Sequence, residues 1–210
     1  DDVCVVYGHG GETVRSAFPD PRLRWALQAD QLGTGHAVQQ AMPDTPDDHR
    51  VLVLFGDVPL LTTRTCRRLV ETTPDDEVAV LTVDMEDPTG YGRIVRDGDR
   101  VTRIVEHKDA SAEEQAIHEI NTGVLLCPAD NLKRWLDNLS NDNAQGEYYL
   151  TDIFAMAVAE NVPVAAVKTG NPDEVRGIND REQLAQVHQR PPLALSASAF
   201  LLDLASMTLN

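Results

Sequence analysis

Short apolar runs that alternate with helix-like stretches constrain the fold of this chain most strongly. Continuous runs of β-branched and aliphatic residues predict buried strands at residues 3–7, 51–55, 78–83 and 124–126. Apolar periodicity and threonine N-caps predict helices at residues 34–42, 63–71, 131–139 and 151–160. Between them, an Asp-Gly turn predicts an antiparallel hairpin over residues 92–105. Strands that alternate with helices indicate an α/β fold with a mostly parallel sheet and one antiparallel excursion.

The charge of the chain excludes several classes of partner. Its 210 residues include 18 Lys and Arg against 34 Asp and Glu, which gives a net charge of −16. Such a chain is a poor partner for nucleic acid or for an anionic membrane. Its three cysteines are widely spaced and odd in number, which argues against a disulfide scaffold and fits a reducing compartment. We expect a cytoplasmic protein that binds neither nucleic acid nor membrane.

Asp57 is the first candidate for a chemical role. It follows the apolar run 51–55 and a glycine, and ligands bind beyond the carboxyl ends of strands in open α/β sheets. A carboxylate there suits Mg²⁺ beside a phosphorylated substrate. An equally weighted alternative is an aspartate that starts the turn before Pro59.

Two further polar groups are weaker signals when taken alone. A Gly-Thr-Gly run at residues 33–35 opens the helix predicted at 34–42, and its backbone N–H groups could hold an anion or a polar base edge. A series of carboxylates and amides next to glycines, within 90–93, 106–108, 119–123 and 177–179, has the groups that sugar hydroxyls and an acetamide need. Each of these residues could instead be a cap or a turn residue. No catalytic triad, zinc motif or Walker lysine is present.

Taken together, seven motifs in one order resemble a known family. They lie at residues 7–11, 28–36, 56–60, 87–93, 104–109, 119–123 and 143–152. Over residues 3–189 they look like the uridylyltransferase half of the bacterial N-acetylglucosamine-1-phosphate uridyltransferases, bifunctional enzymes that also acetylate glucosamine-1-phosphate. The resemblance implies a Rossmann-like nucleotidyltransferase domain, which in the family precedes a left-handed β-helix.

The resemblance also implies a reaction. UTP would transfer its uridylyl group to N-acetylglucosamine-1-phosphate, giving UDP-N-acetylglucosamine for cell-wall precursors such as peptidoglycan, with Mg²⁺ as cofactor. The residues that match the family's uracil contacts are Gln28, Gly33 and Thr34. Those that match its sugar contacts are Gly92, Glu106, Asn121 and Asn179, and those that match its metal ligands are Asp57 and Asn179. No general base is expected, because a sugar phosphate is already an anion.

The sequence differs from the family's pattern at both of its ends and at Phe55. Residues 1–189 would form a partial nucleotidyltransferase domain that lacks the family's first strand and glycine-rich basic loop, and residues 190–210 are an apolar tail that does not match. Phe55 stands where relatives often have tyrosine. Because relatives trimerise mainly through the β-helix, we expect this chain alone to be monomeric and to have little or no turnover. Two alternatives stay open: a nucleotidyltransferase for another sugar phosphate, and a non-catalytic nucleotide-sugar-binding module.

Overall fold

The computed structural model describes residues 2–178. The predictions for Asn179, for the domain boundary near residue 189 and for the apolar tail at 190–210 lie outside the described residues. The strands are β1 (Val3–Tyr7), β2 (Leu23–Leu27), β3 (Arg50–Val53), β4 (Val78–Asp84), β5 (Arg93–Asp97), β6 (Arg100–Val105), β7 (Glu119–Pro128) and β8 (Val164–Lys168). The helices are α1 (Glu12–Ala17), α2 (Thr34–Ala41), α3 (Thr63–Thr72), α4 (Ala112–Gln115), α5 (Ala129–Leu136) and α6 (Asp152–Ala159), followed by a 3₁₀ turn at Pro172–Val175.

The strands form two sheets. β1 and β2 pair in parallel. The other six strands form a mixed sheet in which β7 pairs antiparallel with β3, β4 and β5, while β4 and β8 are parallel. These pairings make β3, β4, β5 and β8 run in one direction and β6 and β7 in the other. The predicted α/β fold with a mostly parallel sheet is therefore confirmed, and β7 adds a central antiparallel strand that the sequence had not indicated.

The predicted hairpin is confirmed as β5 and β6, which pair antiparallel with a register shift after Val95. Gly98 occupies the turn with φ +58°, a left-handed conformation that glycine adopts without steric cost. The hairpin joins the main sheet through Arg93, whose backbone pairs with Ile120 of β7. Through this junction the end of β6 reaches the same region as the start of β7.

Apolar side chains cover both faces of the large sheet. Val78 and Val80 of β4 lie on one face with Trp135 and Phe154 of the helices α5 and α6. Alternate residues of the same strand, including Leu81, lie on the other face with the apolar side of α3. Because successive strand side chains point to opposite faces, one buried strand serves both cores.

A cavity of about 1250 Å³ lies between the two sheets. β1 and β3 line it, and within the described part of the chain each of these strands has a single hydrogen-bonded neighbour. Their residues are only half-buried, whereas six consecutive residues of β4 are fully buried. None of the helices in residues 2–178 is long and apolar enough to span a bilayer.

Candidate functional site

Gln28 follows β2 and is 8% exposed at the edge of the cavity. Its side-chain nitrogen Nε2 donates to the carbonyl oxygen of Gly33 at 3.1 Å and lies 3.1 Å from Nδ1 of His36. No described residue donates to Oε1 of the same amide. The residues predicted to hold a base therefore lie together, and the Gln28 oxygen is an acceptor that receives no hydrogen bond from residues 2–178.

The N-terminus of α2 is held by the segment that precedes α6. Gly35 N–H donates to the Tyr148 carbonyl at 2.8 Å, and Leu150 N–H donates to Oγ1 of Thr34 at 3.1 Å. Gly33 has φ +114°, and a side chain there would lie 2.7 Å from the Tyr148 carbonyl oxygen. Only glycine fits this position, because both the backbone conformation and the close approach exclude a Cβ atom.

Three of the predicted sugar-binding residues also lie together. Gly92 is buried, and a Cβ atom on it would lie 3.4 Å from Oε2 of Glu106. The Gly92 carbonyl accepts from the Asn121 N–H at 2.9 Å. The side-chain oxygen of Asn121 accepts from Gly123 N–H at 2.9 Å, so that its amide nitrogen is left as a donor. A carboxylate acceptor and an amide donor thus flank the same buried glycine.

Thr151 determines the environment of Glu106. It lies at the N-cap position of α6, as predicted, but its hydroxyl makes no cap hydrogen bond and instead donates to Oε1 of Glu106 at 2.9 Å. Burial raises the pKa of Glu106, the Thr151 hydroxyl lowers it, and the nearby Asp152 and Asp109 raise it further, so that the net shift is upward. A buried charge is costly unless it is hydrogen-bonded, so a polar ligand that donates to this carboxylate would stabilise it.

Asp57 lies just beyond β3 and is exposed. Its carbonyl accepts from Ile178 N–H at 2.8 Å, and nothing within residues 2–178 hydrogen-bonds or pairs with its carboxylate. The described residues contain no cluster of three or more His, Cys, Asp or Glu that could hold a metal ion. A single open carboxylate nevertheless fits Mg²⁺, which commonly takes one or two carboxylates together with waters and substrate phosphates.

Phe55 connects the Asp57 end of β3 to the Asn121 region of β7. Gly123 has φ +85°, and a Cβ atom on it would lie 2.7 Å from the Phe55 ring. The Phe55 ring therefore packs against Gly123. In the sequence, Phe55 lies two residues before Asp57, and Gly123 lies two residues after Asn121. This contact fixes the position of the metal candidate relative to the sugar candidate.

Two residues that contribute to the site were not nominated from sequence. Thr151 belongs to the motif at 143–152, but its partner Glu106 lies 45 positions away and no local signal indicates that pairing. His36 lies in the motif at 28–36 but was not nominated, and its contact with Gln28 is what the structure adds. The motif membership was the only available signal for both.

A family profile described as "MobA-like NTP transferase domain" matches residues 1–131. The chain belongs to the MobA-like NTP transferase family. Family membership agrees with the α/β architecture and with a site at the ends of the strands.

Curated relatives of this NTP transferase confirm the resemblance indicated by the motifs. The chain is 56% identical over 184 residues to the "Bifunctional protein GlmU" of Alkalilimnicola ehrlichii, with 87% of this chain and 40% of that protein covered. It is 54% identical over 192 residues to the protein of the same name from an Azoarcus species, with 90% and 42% covered. The chain thus spans about two fifths of the length of these relatives.

Solved structures support the fold. A UDP-glucose pyrophosphorylase in complex with UDP-glucose matches with a TM-score of 0.65 at 13% identity, covering 90% of this chain and 82% of that one. A putative glucose-1-phosphate thymidylyltransferase from Bacillus anthracis matches with a TM-score of 0.64 at 16% identity, covering 92% and 78%. At these identities the likeness extends to the nucleotidyltransferase architecture alone.

Proposed function

We propose that this domain binds UTP and N-acetylglucosamine-1-phosphate and takes part in uridylyl transfer, giving UDP-N-acetylglucosamine and pyrophosphate. The proposal includes a cytoplasmic location, with no nucleic acid or membrane as partner. It rests on the motifs of the sequence, on the identity with the bifunctional relatives and on the geometry of the site.

One observation carries the proposal: residues far apart in sequence form an unbroken series of contacts along the strand ends. From α2, Thr34 contacts Leu150, and the neighbouring Thr151 contacts Glu106. The series then continues through Gly92, Asn121 and Gly123 to Phe55, and Asp57 lies two residues after Phe55 in the chain. A base site, a sugar site and a metal candidate would therefore face one ligand.

Each end of this series suits one part of a nucleotide sugar. Oε1 of Gln28 can accept the N–H of a uracil imide, and the backbone N–H groups near Gly33 and Thr34 can donate to its carbonyl oxygens. Oε2 of Glu106 can accept from a sugar hydroxyl while Oε1 stays bound to Thr151. The amide nitrogen of Asn121 can donate to a sugar oxygen.

The reaction needs positioning more than proton transfer. A phosphate oxygen of the sugar phosphate attacks the α-phosphorus of UTP as the bond to the β-phosphate breaks, and pyrophosphate leaves. Asp57 would hold Mg²⁺ together with Asn179, the residue that follows Ile178 in the sequence. When bound, the ion would neutralise charge on the phosphate oxygens. The chain's own residues would orient the two substrates.

Isothermal titration calorimetry tests the proposal. We expect UDP-N-acetylglucosamine to bind in the presence of Mg²⁺, more tightly than UDP-glucose, because Glu106 and Asn121 match the family's contacts to the N-acetylglucosamine part. Asp57→Ala should weaken the Mg²⁺-dependent part of the affinity. Asp137→Ala, which removes an exposed carboxylate after α5 and outside all seven motifs, is the matched control and should leave that Mg²⁺-dependent part unchanged.

The result that contradicts the proposal is absence of binding by a sample whose circular dichroism shows it to be folded. A preference for UDP-glucose would instead support a nucleotidyltransferase for another sugar phosphate. Tight binding of the nucleotide sugar that is insensitive to Mg²⁺ and to Asp57→Ala would favour a non-catalytic binding module.

A further inference from the structure

The side-chain amide of Gln28 is held by two acceptors at once. The Gly33 carbonyl oxygen can only accept, so the amide atom 3.1 Å from it must be the nitrogen Nε2. The same nitrogen lies 3.1 Å from Nδ1 of His36. Because Nε2 of Gln28 can only donate, Nδ1 of His36 must accept this hydrogen bond. The neutral His36 ring must therefore carry its proton on its own Nε2 atom.

This arrangement uses both hydrogens of the Gln28 amide. A primary amide has two N–H donors and one oxygen. One donor is directed to Gly33 and the other to His36, which leaves Oε1 as the atom that faces a ligand. Gln28 is 8% exposed, so that a flip of the amide would bring its oxygen against the Gly33 carbonyl, which can only accept, and would also require the His36 proton to move to Nδ1.

We propose that His36 is a positioning residue that fixes the Gln28 amide as an acceptor-only reader of the nucleobase. This inference rests on the proposed function, since it assigns the mechanism by which that same site selects its base. An acceptor at this position favours a base with a ring N–H, such as the N3–H of uracil. It disfavours cytosine, whose N3 is an acceptor and would face the Gln28 oxygen lone pair to lone pair.

His36 acts through Gln28 and does not contact the base itself in this account. Its position two residues into α2 places the ring next to the backbone that carries Gly33 and Thr34. Helix α2 is anchored by the Tyr148 and Leu150 contacts described above, so the imidazole is presented from a fixed element. While its proton is on ring atom Nε2, His36 presents an acceptor to the amide and so disfavours the flip that the other pyrimidine would need.

The test compares UDP with CDP by calorimetry for the wild-type chain, His36→Leu and His36→Asn. Leucine removes the acceptor, whereas the side-chain oxygen of asparagine can replace Nδ1. We expect the UDP-over-CDP preference to fall about 3- to 10-fold in His36→Leu, which corresponds to the loss of one neutral hydrogen bond. His36→Asn should restore the preference to within about twofold of wild type, since one acceptor again faces the amide.

The outcomes separate this inference from the proposed function. If the folded wild-type chain binds neither UDP nor UDP-N-acetylglucosamine, the proposed function fails and the inference fails with it. If wild type prefers UDP and His36→Leu keeps that preference unchanged, the inference alone is overturned. Equal losses of UDP and CDP affinity in His36→Leu would also overturn it, because a merely structural role would weaken both ligands alike.

A measurement on the wild-type chain decides the matter even if His36→Leu does not fold. The ¹⁵N shifts of the imidazole distinguish its tautomers. In the neutral ring we expect the tautomer with its proton on Nε2, together with a hydrogen-bonded side-chain amide of Gln28. An Nδ1–H tautomer would overturn the inference, since Nδ1 could then not accept.

Discussion

Replacement of Gly123 by alanine tests the contact that joins the two halves of the site. The backbone there has φ +85°, and the added Cβ atom would lie 2.7 and 2.8 Å from two carbons of the Phe55 ring. Gly90 has almost the same φ, +87°, but a Cβ atom on it would meet nothing within 4 Å. Gly90→Ala is therefore a matched control that carries the backbone strain without the clash.

The expected loss of stability has two sources, the backbone strain and the steric clash. A left-handed backbone costs a residue with a Cβ atom about 1–2 kcal/mol, and this cost is common to both variants. Overpacking of a close-packed contact costs about 1–3 kcal/mol more, and it applies to Gly123→Ala alone. We therefore expect Gly123→Ala to lower the free energy of unfolding by about 1–3 kcal/mol more than Gly90→Ala does.

Urea unfolding followed by circular dichroism measures this difference, with the transition midpoints compared at a common slope. Phe55→Leu provides a second arm, because a smaller side chain removes the ring carbons that the alanine would meet. In that background Gly123→Ala should cost no more than Gly90→Ala, and the double-mutant cycle gives the coupling. Equal destabilisation by the two alanine variants in the wild-type background, to within about 0.5 kcal/mol, would refute the ring contact and the geometry built on it.

Three further predictions concern the polar contacts. Thr151→Val removes the 2.9 Å hydrogen bond to Glu106 and should weaken UDP-N-acetylglucosamine binding about tenfold while leaving UDP binding unchanged in calorimetry, with Thr151→Ser as the control that keeps the hydroxyl. Burial raises the pKa of Glu106, so its carboxylate is present above that raised pKa and is lost as the pH falls through it. The affinity ratio of UDP-N-acetylglucosamine to UDP should therefore decline on acidification at a higher pH than an exposed glutamate would give. Glu106→Gln should make this ratio independent of pH and should raise the free energy of unfolding at pH 7. Thr65→Val removes a 2.6 Å hydrogen bond to Glu174 that anchors the 3₁₀ turn to α3, and should lower the free energy of unfolding by about 1.5–3 kcal/mol in urea, whereas Thr65→Ser should not.

Part of the apolar framework was predictable because local sequence dictates it, whereas β2 and β8, which are also largely apolar, were not among the predicted strands. The run at residues 3–7 is β1 itself, and the strand predicted at 78–83 is β4 to within one residue. β7 was predicted only at residues 124–126, since its first half alternates between half-buried polar residues and buried ones. That alternation has the period of a strand, but its polar members resemble a loop when they are read singly.

The candidate site residues were nominated from the motifs and, for Asp57, from its position after an apolar run, whereas the contacts that join them were not predictable from the sequence. Gln28, Glu106 and Asn121 were nominated because their motifs match a family, and no local propensity marks them as ligands. Thr151 looks like an ordinary N-cap, and its hydroxyl is drawn away by a carboxylate 45 residues distant. Contacts of this kind arise from tertiary packing, which a single sequence does not reveal.

The most direct test of the central claim follows the side-chain amides of Gln28 and Asn121 by ¹H–¹⁵N NMR during titration. Under the proposed function, the base binds at Gln28 and the sugar at Asn121. UDP alone should therefore shift the Gln28 amide and leave Asn121 in place, whereas UDP-N-acetylglucosamine should shift both. Shifts of Asn121 with UDP alone, or no shift of Asn121 with saturating UDP-N-acetylglucosamine, would contradict it.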